Sequence, residues 1–504
     1  MDKEYLVGID SGTQSVRVIV FDKAGNIVSR GSANHEPYFS QQPGWAEQHP
    51  EDLWAKLCQA SQQAMEQLPV PKETLAAVGL AVQRASIIAA DKDGSPLRPC
   101  ISWLDQRRAV GIEPIPDLPP MLNAFQYMSK ANWIRVNEPE TYEKTLKFLS
   151  VGGWLAHKLT GEFNDSVAMQ VGIWPFDTSK LEWYQNPVMY AVCGIPREKL
   201  ADIYPPGTVL GHVTKAAAEE TGLPEGLPIV AGAGDKMCET LGAGAIEPGQ
   251  ASITYGTLAG LDITTYTHVQ AKGGEYWTFP SAVAGAWNPE FAVPRGYWMV
   301  TWFRDEFGWK EVEEAAKKGI SAEELFNQEA AKVPPGAEGL VLAPYWSPPT
   351  VAPLSKGVIL GFEAHHTRAH VFRAILEGIA FGLRQGLDVF ARDTGVSIKE
   401  VTIGGGGAQS DIAMQATADI FGIPAKRVHT VQTCSLGAAI DAAVGAGLYR
   451  DFKDAVAHMT HCARVFEPIP ENQKLYDAIY NRVYQRLYPS LEEVYKNLKE
   501  ITGR

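Results

Sequence analysis

Long apolar runs, a surplus of positive charge and paired cysteines are all missing from this 504-residue chain, and each absence removes a class of function. No hydrophobic stretch approaches the roughly 20 residues that cross a bilayer. The opening M-D-K-E-Y-L has no basic region followed by an apolar core, so the expectation is neither export nor insertion but a place in the cytoplasm. A formal charge of -13 argues against non-specific nucleic-acid binding and against docking on an anionic membrane, because both need a basic face. Six cysteines (Cys58, Cys100, Cys193, Cys238, Cys434, Cys462) show no C-x-x-C and no His/Cys ligand spacing, and are expected as reduced, mostly buried thiols. Familiar chemical signatures are absent too: no G-x-x-x-x-G-K-[ST], no G-x-G-x-x-G after a strand, no H-R-D or D-F-G, no H-E-x-x-H and no G-x-S-x-G. With 45% hydrophobic and 20% charged residues, the composition is that of a globular chain of two to four domains.

What is present begins with V-G-I-D-S-G-T-Q-S-V-R-V-I-V-F-D at 7–22. Its two apolar arms alternate around a polar turn, which predicts a β-hairpin. Gly12 removes a Cβ from the turn, while Thr13, Gln14 and Ser15 offer N–H groups and hydroxyls to an anion. Asp10 beside them would repel a phosphate unless a divalent cation lay between, so the turn reads as a Mg²⁺ and phosphate site. Taken alone, it also reads as an ordinary hairpin turn with a solvated Asp.

Further along, the pattern predicts a helix over 51–66 and strands at 77–82 and 87–90. The segment I-S-W-L-D-Q-R-R at 101–108 then forms a polar cluster with Q-R-A-S at 83–86. Residues 27–50 read as polar connection, and helical pattern dominates 121–160, including 140–159 with a stop at Gly161. A strand at 228–231 leads into A-G-A-G-D-K-M-C-E-T-L-G-A-G, where Asp235 follows glycines at a strand end and would also serve as a helix N-cap. A second Gly/Thr hairpin, Y-G-T-L-A-G, lies within 250–265, followed by aromatic-rich residues 273–307. A long helix is expected over 369–394. V-T-I-G-G-G-G-A-Q-S at 401–410 ends a strand in glycines and enters a helix, a place for backbone to approach a phosphorylated ligand. Helices are expected over 434–447 and 468–498. Two hairpins of one kind suggest two similarly folded halves.

The order of these segments resembles the FGGY family of carbohydrate kinases, within the actin-like ATPase superfamily. G-I-D-S-G-T-Q-S-V-R, G-W-A-E-Q-H-P-E-D-L-W, A-G-A-G-D, Y-G-T, H-T-R-A-H-V-F-R-A-I-L-E-G-I-A-F, G-G-G-A-Q-S-D-I-A-M-Q-A-T-A-D-I-F-G and S-L-G-A-A carry the resemblance. It implies an α/β fold of two ribonuclease-H-like domains flanking a central cleft, with residues 1–248 as the sugar-binding half and 249–504 as the nucleotide-binding half. Carried over residue by residue, Asp235 is the general base and Asp10, with Asp235, the Mg²⁺-directing group. Thr13, Gln14, Arg17, Gly256 and Thr257 hold phosphate, while Gly406, Gly407 and Ser410 flank the adenosine. Gln83, Arg84, Trp103, Asp105 and Asp235 are the candidate sugar contacts, with aromatic cover from Trp277 or Trp287.

The implied reaction is ATP- and Mg²⁺-dependent phosphorylation of a small sugar or polyol, a ketopentose of xylulose or ribulose type foremost and glycerol or another polyol as the alternative. No nucleic acid or membrane is expected as a partner, and a homodimer is the assembly carried with the resemblance. Departures from family pattern concern the substrate. Arg84 matches a substrate-binding Arg of glycerol kinases, but Ala85 stands where those enzymes have an acid. A-G-D-K-M-C differs from their G-D-Q and from the G-D-N of xylulose kinases, the loop before Gly357 lacks G-E-R-x-P, and Gln432 replaces a frequent acid. Two readings of other classes are an actin-like ATPase of chaperone or filament type and a catalytically silent sugar sensor.

Overall fold

The alternation at the start of the chain folds as three antiparallel strands, β1 (Tyr5–Ser11), β2 (Ser15–Phe21) and β3 (Ile27–Asn34). The computed structural model describes residues 3–349 and 351–503. Met1 and Asp2 of the opening segment, Thr350 of the loop before Gly357, and Arg504 lie outside them. Helix α1 (Pro50–Glu66) leads to β4 (Leu75–Val82), and helix α2 (Val151–Thr160) to β5 (Val209–His212), β6 (Pro228–Gly234) and α3 (Asp235–Gly242). The strands form one sheet in the order β5-β6-β4-β1-β2-β3, with β4 and β6 parallel to β1 and β5 reversed.

Val7 and Ile9 of β1 and Val78 and Leu80 of β4 point to one face, where α1 and α2 close a hydrophobic core. Gly8 and Gly79 alternate with them and so face the other way. There the helix Thr433–Gly445 lies directly on the sheet: a Cβ on Gly8 would sit 2.0 Å from Ser435 O, and one on Gly79 1.8 Å from Ala438 O.

The second sheet repeats the plan and adds a seventh strand, Trp277–Pro280, at one edge. Strands β7 (Gln250–Tyr255), β8 (Ala259–Ile263) and β9 (Trp287–Val293) run antiparallel, and β10 (Glu400–Gly404) and β11 (Ala425–Val428) are parallel to β7. Strand β12 (Cys462–Phe466) is reversed against β11. The order β9-β8-β7-β10-β11-β12 has the same sequence of strand directions as β3-β2-β1-β4-β6-β5. Helix α4 (Trp298–Phe307), the 27-residue α5 (Arg368–Thr394) and α6 (Asp411–Phe421) supply much of its core. The chain divides into two compact units: Met1–Gly242 with Phe279–Trp287 and Cys434–Thr460, and Ala243–Thr278 with Asn288–Thr433 and His461–Arg504.

Three local expectations are corrected. Residues 27–34 are not connection but strand β3, whose inward positions Ser29, Gly31 and Ala33 are small because α1 presses on them; a Cβ on Gly31 would meet Ala60 O at 2.0 Å. The helix expected over 140–159 is interrupted by the strand Lys147–Leu149, which pairs with Ile88–Ala90. The helix expected over 468–498 is Pro470–Ile479, a π-helical turn at Tyr480–Tyr484 and Gln485–Thr502. All six cysteines are free, five of them buried and Cys462 exposed. Among the described residues no helix is long and apolar enough to cross a membrane.

Candidate functional site

Two carboxylates stand at neighbouring strand ends of the first unit. Ser11 of β1 and Gly234 of β6 both pair with Val82 of β4, so these ends finish level, two strand spacings or roughly 10 Å apart. Asp10 precedes Ser11, and Asp235 opens α3 directly after Gly234. A third carboxylate, Glu239, lies one turn along the same face of α3.

Asp10 is 6% exposed, and its Oδ2 meets Arg17 Nη1 at 3.0 Å. Burial pushes its pKa up to about 6; Arg17 and Cys434 pull against this, and the charges of Asp235 and Glu239 add to the rise. Asp235 Oδ1 accepts the Lys236 backbone N–H at 2.9 Å and faces Arg84 Nε at 3.2 Å. The Arg84 guanidinium lies over the Phe279 ring at 5.0 Å. Lys236 Nζ pairs with Glu239 Oε2 at 2.7 Å. Burial works against the Lys236 charge, but Glu239 and Asp235 outweigh it and hold the ammonium above its ordinary range. Cys434 donates its thiol to Asp235 O at 3.5 Å, fixing the start of the helix Thr433–Gly445 beside both acids.

The hairpin turn joins this group to the predicted sugar contacts. Gly12 N–H closes the turn on Ser15 O at 3.0 Å, leaving Gln14 exposed. Thr13 Oγ1 donates to Gln83 Oε1 at 3.3 Å and accepts the Trp103 indole N–H at 2.9 Å. Gln83 Nε2 donates to Gln48 Oε1 at 3.0 Å, and Gln48 Nε2 to Thr13 O at 2.8 Å. Trp103 is nevertheless 53% exposed, an open aromatic surface next to the turn. Ala85, following Arg84, has φ +56°, a left-handed conformation unusual for alanine, in the turn that begins at Gln83 just after β4.

Asp105 is placed differently. Its carboxylate accepts the backbone N–H groups of Ala46 (2.8 Å) and Arg107 (2.9 Å), Arg107 Nη2 (2.7 Å) and Lys130 Nζ (3.3 Å). Burial would raise its pKa, but the Arg107 hydrogen bonds and those backbone donors prevail and hold it below the usual carboxylate value. It braces the 101–108 segment. Trp287 donates its indole N–H to Thr178 O at 2.6 Å, within the first unit, while Trp277 belongs to the second unit and is exposed.

In the second unit, the β7–β8 turn and the glycine run meet around Tyr297. Tyr297 N–H donates to Gly256 O at 3.0 Å, its ring lies 4.7 Å from that of Tyr255, and a Cβ on Gly407 would come within 2.3 Å of it. Gly405, at φ +79°, lies against Tyr255, where a Cβ would be 2.8 Å from the carbonyl oxygen. A Cβ on Gly406 would face open space, and Thr257 is exposed, with its carbonyl accepting the Trp298 N–H. Ser410 is committed: its Oγ accepts from Ala413 N–H, capping α6, and donates to Asn327 Oδ1 at 2.7 Å.

Glu239, Lys236, Gln48, Cys434 and Phe279 escaped the sequence reading. The four-residue spacing from Asp235 to Glu239 on one helix was a signal for the first; the others become neighbours only through the fold. Each acid of the group Asp10, Asp235 and Glu239 has a basic partner, Arg17 for Asp10, Arg84 for Asp235 and Lys236 for Glu239, and burial rather than the neighbouring carboxylates is the main cause of the rise at Asp10. Among the described residues no group of three or more His, Cys, Asp or Glu side chains could hold a metal ion by itself, so a Mg²⁺ here would need water and phosphate oxygens as its other ligands.

Comparison with known proteins decides the class. The N-terminal domain of the FGGY family of carbohydrate kinases matches residues 5–242 and its C-terminal domain residues 251–446. The chain belongs to the FGGY family of carbohydrate kinases. This FGGY kinase is a phosphotransferase with an alcohol group as acceptor, and family membership implies ATP as donor and a small sugar or polyol as substrate. It is 34% identical over 502 residues to the uncharacterized sugar kinase YgcE of Escherichia coli (strain K12), covering 99% of this chain and 96% of that protein. A xylulose kinase of Staphylococcus epidermidis (strain ATCC 35984) is 27% identical over 517 residues, covering 100% of this chain and 99% of the relative. The ligand-bound xylulose kinase from Lactobacillus acidophilus has the same fold, with a TM-score of 0.82 at 19% identity over 98% of this chain and 99% of that one. The two-sheet α/β plan is thus that of the actin-like ATPases.

Proposed function

We propose that this FGGY kinase phosphorylates a ketopentose of xylulose or ribulose type, with Asp235 as the general base. The observation that carries the reading is the pairing of Asp235 with Arg84 at a strand end level with the Asp10 turn. A sugar hydroxyl is a poor nucleophile at neutral pH, and a carboxylate within hydrogen-bond reach accepts its proton as the new P–O bond forms, a contribution of roughly 10²- to 10⁴-fold. Arg84 holds the Asp235 carboxylate in one orientation and, stacked on Phe279, is itself restrained. Thr13, Gln14 and Arg17 are proposed as phosphate contacts in the half up to residue 248. Gly256, Thr257, Gly406 and Gly407 are proposed as nucleotide contacts in the half from 249, through exposed backbone. Mg²⁺ directed by Asp10, with Asp235 nearby, would neutralise charge on the phosphate oxygens.

For the substrate, Gln83, Arg84 and Trp103 are the proposed sugar contacts. Ala85 supplies no acidic hydroxyl acceptor, which favours a pentulose over glycerol. The xylulose kinase relative supports the same choice, and metabolic kinases as relatives support a cytoplasmic setting. ADP release measured across pentuloses, polyols and glycerol tests the assignment. Xylulose or ribulose is expected to give the highest kcat/KM; glycerol exceeding every pentulose would transfer the assignment to glycerol kinase.

A further inference from the structure

The second hairpin turn has no charge of its own. Its residues, Y-G-T-L-A-G at 255–260, are all neutral, whereas beside the first turn Arg17 is committed to Asp10 at 3.0 Å. A cation reaches the second turn from the neighbouring strand. Ala259 of β8 pairs with Val293 of β9, and the antiparallel register carried past these ends sets Arg295 opposite Thr257. The chain then stays against the turn: a Cβ on Gly296 would collide with Ala259, Tyr297 N–H donates to Gly256 O at 3.0 Å and Trp298 N–H to Thr257 O at 3.4 Å. The Arg295 guanidinium lies 4.8 Å from the centroid of the Trp298 ring. Its charge is thus stacked on the very residue whose N–H the Thr257 carbonyl accepts. Arg295 is exposed, and among the described residues no carboxylate or carbonyl takes its N–H groups.

We propose that Arg295 binds the phosphate chain of the nucleotide at this turn, an assignment that rests on Gly256 and Thr257 being nucleotide contacts. A turn of neutral residues offers a phosphate only backbone and hydroxyl dipoles, and a chain with 58 acidic against 45 basic side chains repels a polyphosphate at long range. A guanidinium at the edge of the turn supplies the missing charge, in a planar fork that matches two phosphate oxygens. The Trp298 ring holds that fork in place through its face. An acidic partner would hold it too, but would cancel the charge, as Asp10 does for Arg17. The adenosine part of the nucleotide is neutral, so the contribution of Arg295 is confined to the phosphates.

The test is calorimetric titration of the full-length kinase with ATP in the presence of Mg²⁺, and separately with adenosine. Arg295→Ala is expected to weaken ATP binding by about tenfold and to leave adenosine binding as it is. The midpoint of urea denaturation should not move, since the side chain is exposed, and in steady-state kinetics KM should rise for ATP and not for the sugar. Arg295→Lys, which keeps the charge without the fork, should bind ATP with an affinity between those of the alanine variant and the unaltered protein. Gly256→Val, which puts a branched side chain on the turn itself, checks the underlying reading and should also weaken ATP. ATP affinity lowered by Gly256→Val but not by Arg295→Ala would overturn the role of Arg295 alone, whereas affinity unchanged in both would remove the turn from the nucleotide site and the role of Arg295 with it. Equal losses of ATP and adenosine binding in Arg295→Ala would overturn it as well.

Discussion

Asp10 and Asp105 are both buried aspartates of the first unit, yet they respond to pH in opposite senses. With its pKa pushed up to about 6 by burial, the folded chain keeps Asp10 protonated where the unfolded chain has already ionised it. This group therefore favours the fold below its ordinary pKa and loses that contribution as pH rises through about 6. Asp105, held below its ordinary value, stabilises above that value and loses its contribution as pH falls through its folded pKa. In the role proposed for Asp10, it is the ionised form that would direct a cation. The acid limb of the pH profile of kcat/KM should fall near pH 6 and move to lower pH as Mg²⁺ is raised; a limb indifferent to Mg²⁺ would contradict the role. Asp105→Asn removes one charge from a buried cluster with Arg107 and Lys130, and should cost about 3–5 kcal/mol in urea denaturation. The KM for sugar should stay close to wild type in the molecules that remain folded, and a selective rise in KM without loss of stability would return Asp105 to the substrate pocket.

At the scale of single elements, glycines decide where helices rest. The helix Thr433–Gly445 approaches the sheet so closely that Gly79→Ala would place a methyl 1.8 Å from Ala438 O, and backbone cannot swing aside as a side-chain end can. A loss of about 3 kcal/mol or more is expected in chemical denaturation, with reduced activity because Cys434, at the start of that helix, touches Asp235. Unaltered stability would mean that the helix is not seated as described. The first hairpin was legible in the sequence because its alternation and its turn glycine are local signals, and the same holds for the long helix α5 and the strand before Asp235. Strand β3 was not, since its inward residues are small for the sake of α1, a partner that periodicity cannot reveal. The break at Lys147–Leu149 was equally hidden: only pairing with Ile88–Ala90 turns those residues into strand. At the site, Asp10 and Asp235 stood out by their turns, whereas the saturation of Asp105 by Arg107 and Lys130 depends on contacts that spacing alone does not disclose.

Over the whole molecule, one plan of strand directions serves twice, three antiparallel strands, two parallel and one reversed. The glycine-bearing hairpin turn recurs in the same topological place, between β1 and β2 and again between β7 and β8. The sequence suggested this kinship from two Gly/Thr hairpins without a fixed repeat, because topology is retained where residues have diverged. Only the first copy carries an Asp at the head of its hairpin turn and another after its parallel strand β6. In the second copy, the hairpin turn and the turn after β10, the counterpart of β4, offer glycine backbone around Tyr297. The proposed acid–base groups thus stand at the ends of one sheet and the proposed backbone donors at the ends of the other. The most direct test compares Asp235→Asn with the unaltered kinase, measuring turnover with its best sugar alongside calorimetric ATP binding. Turnover should fall by roughly 10²- to 10⁴-fold with ATP affinity nearly unchanged; turnover close to that of the unaltered protein would contradict the assignment of the base.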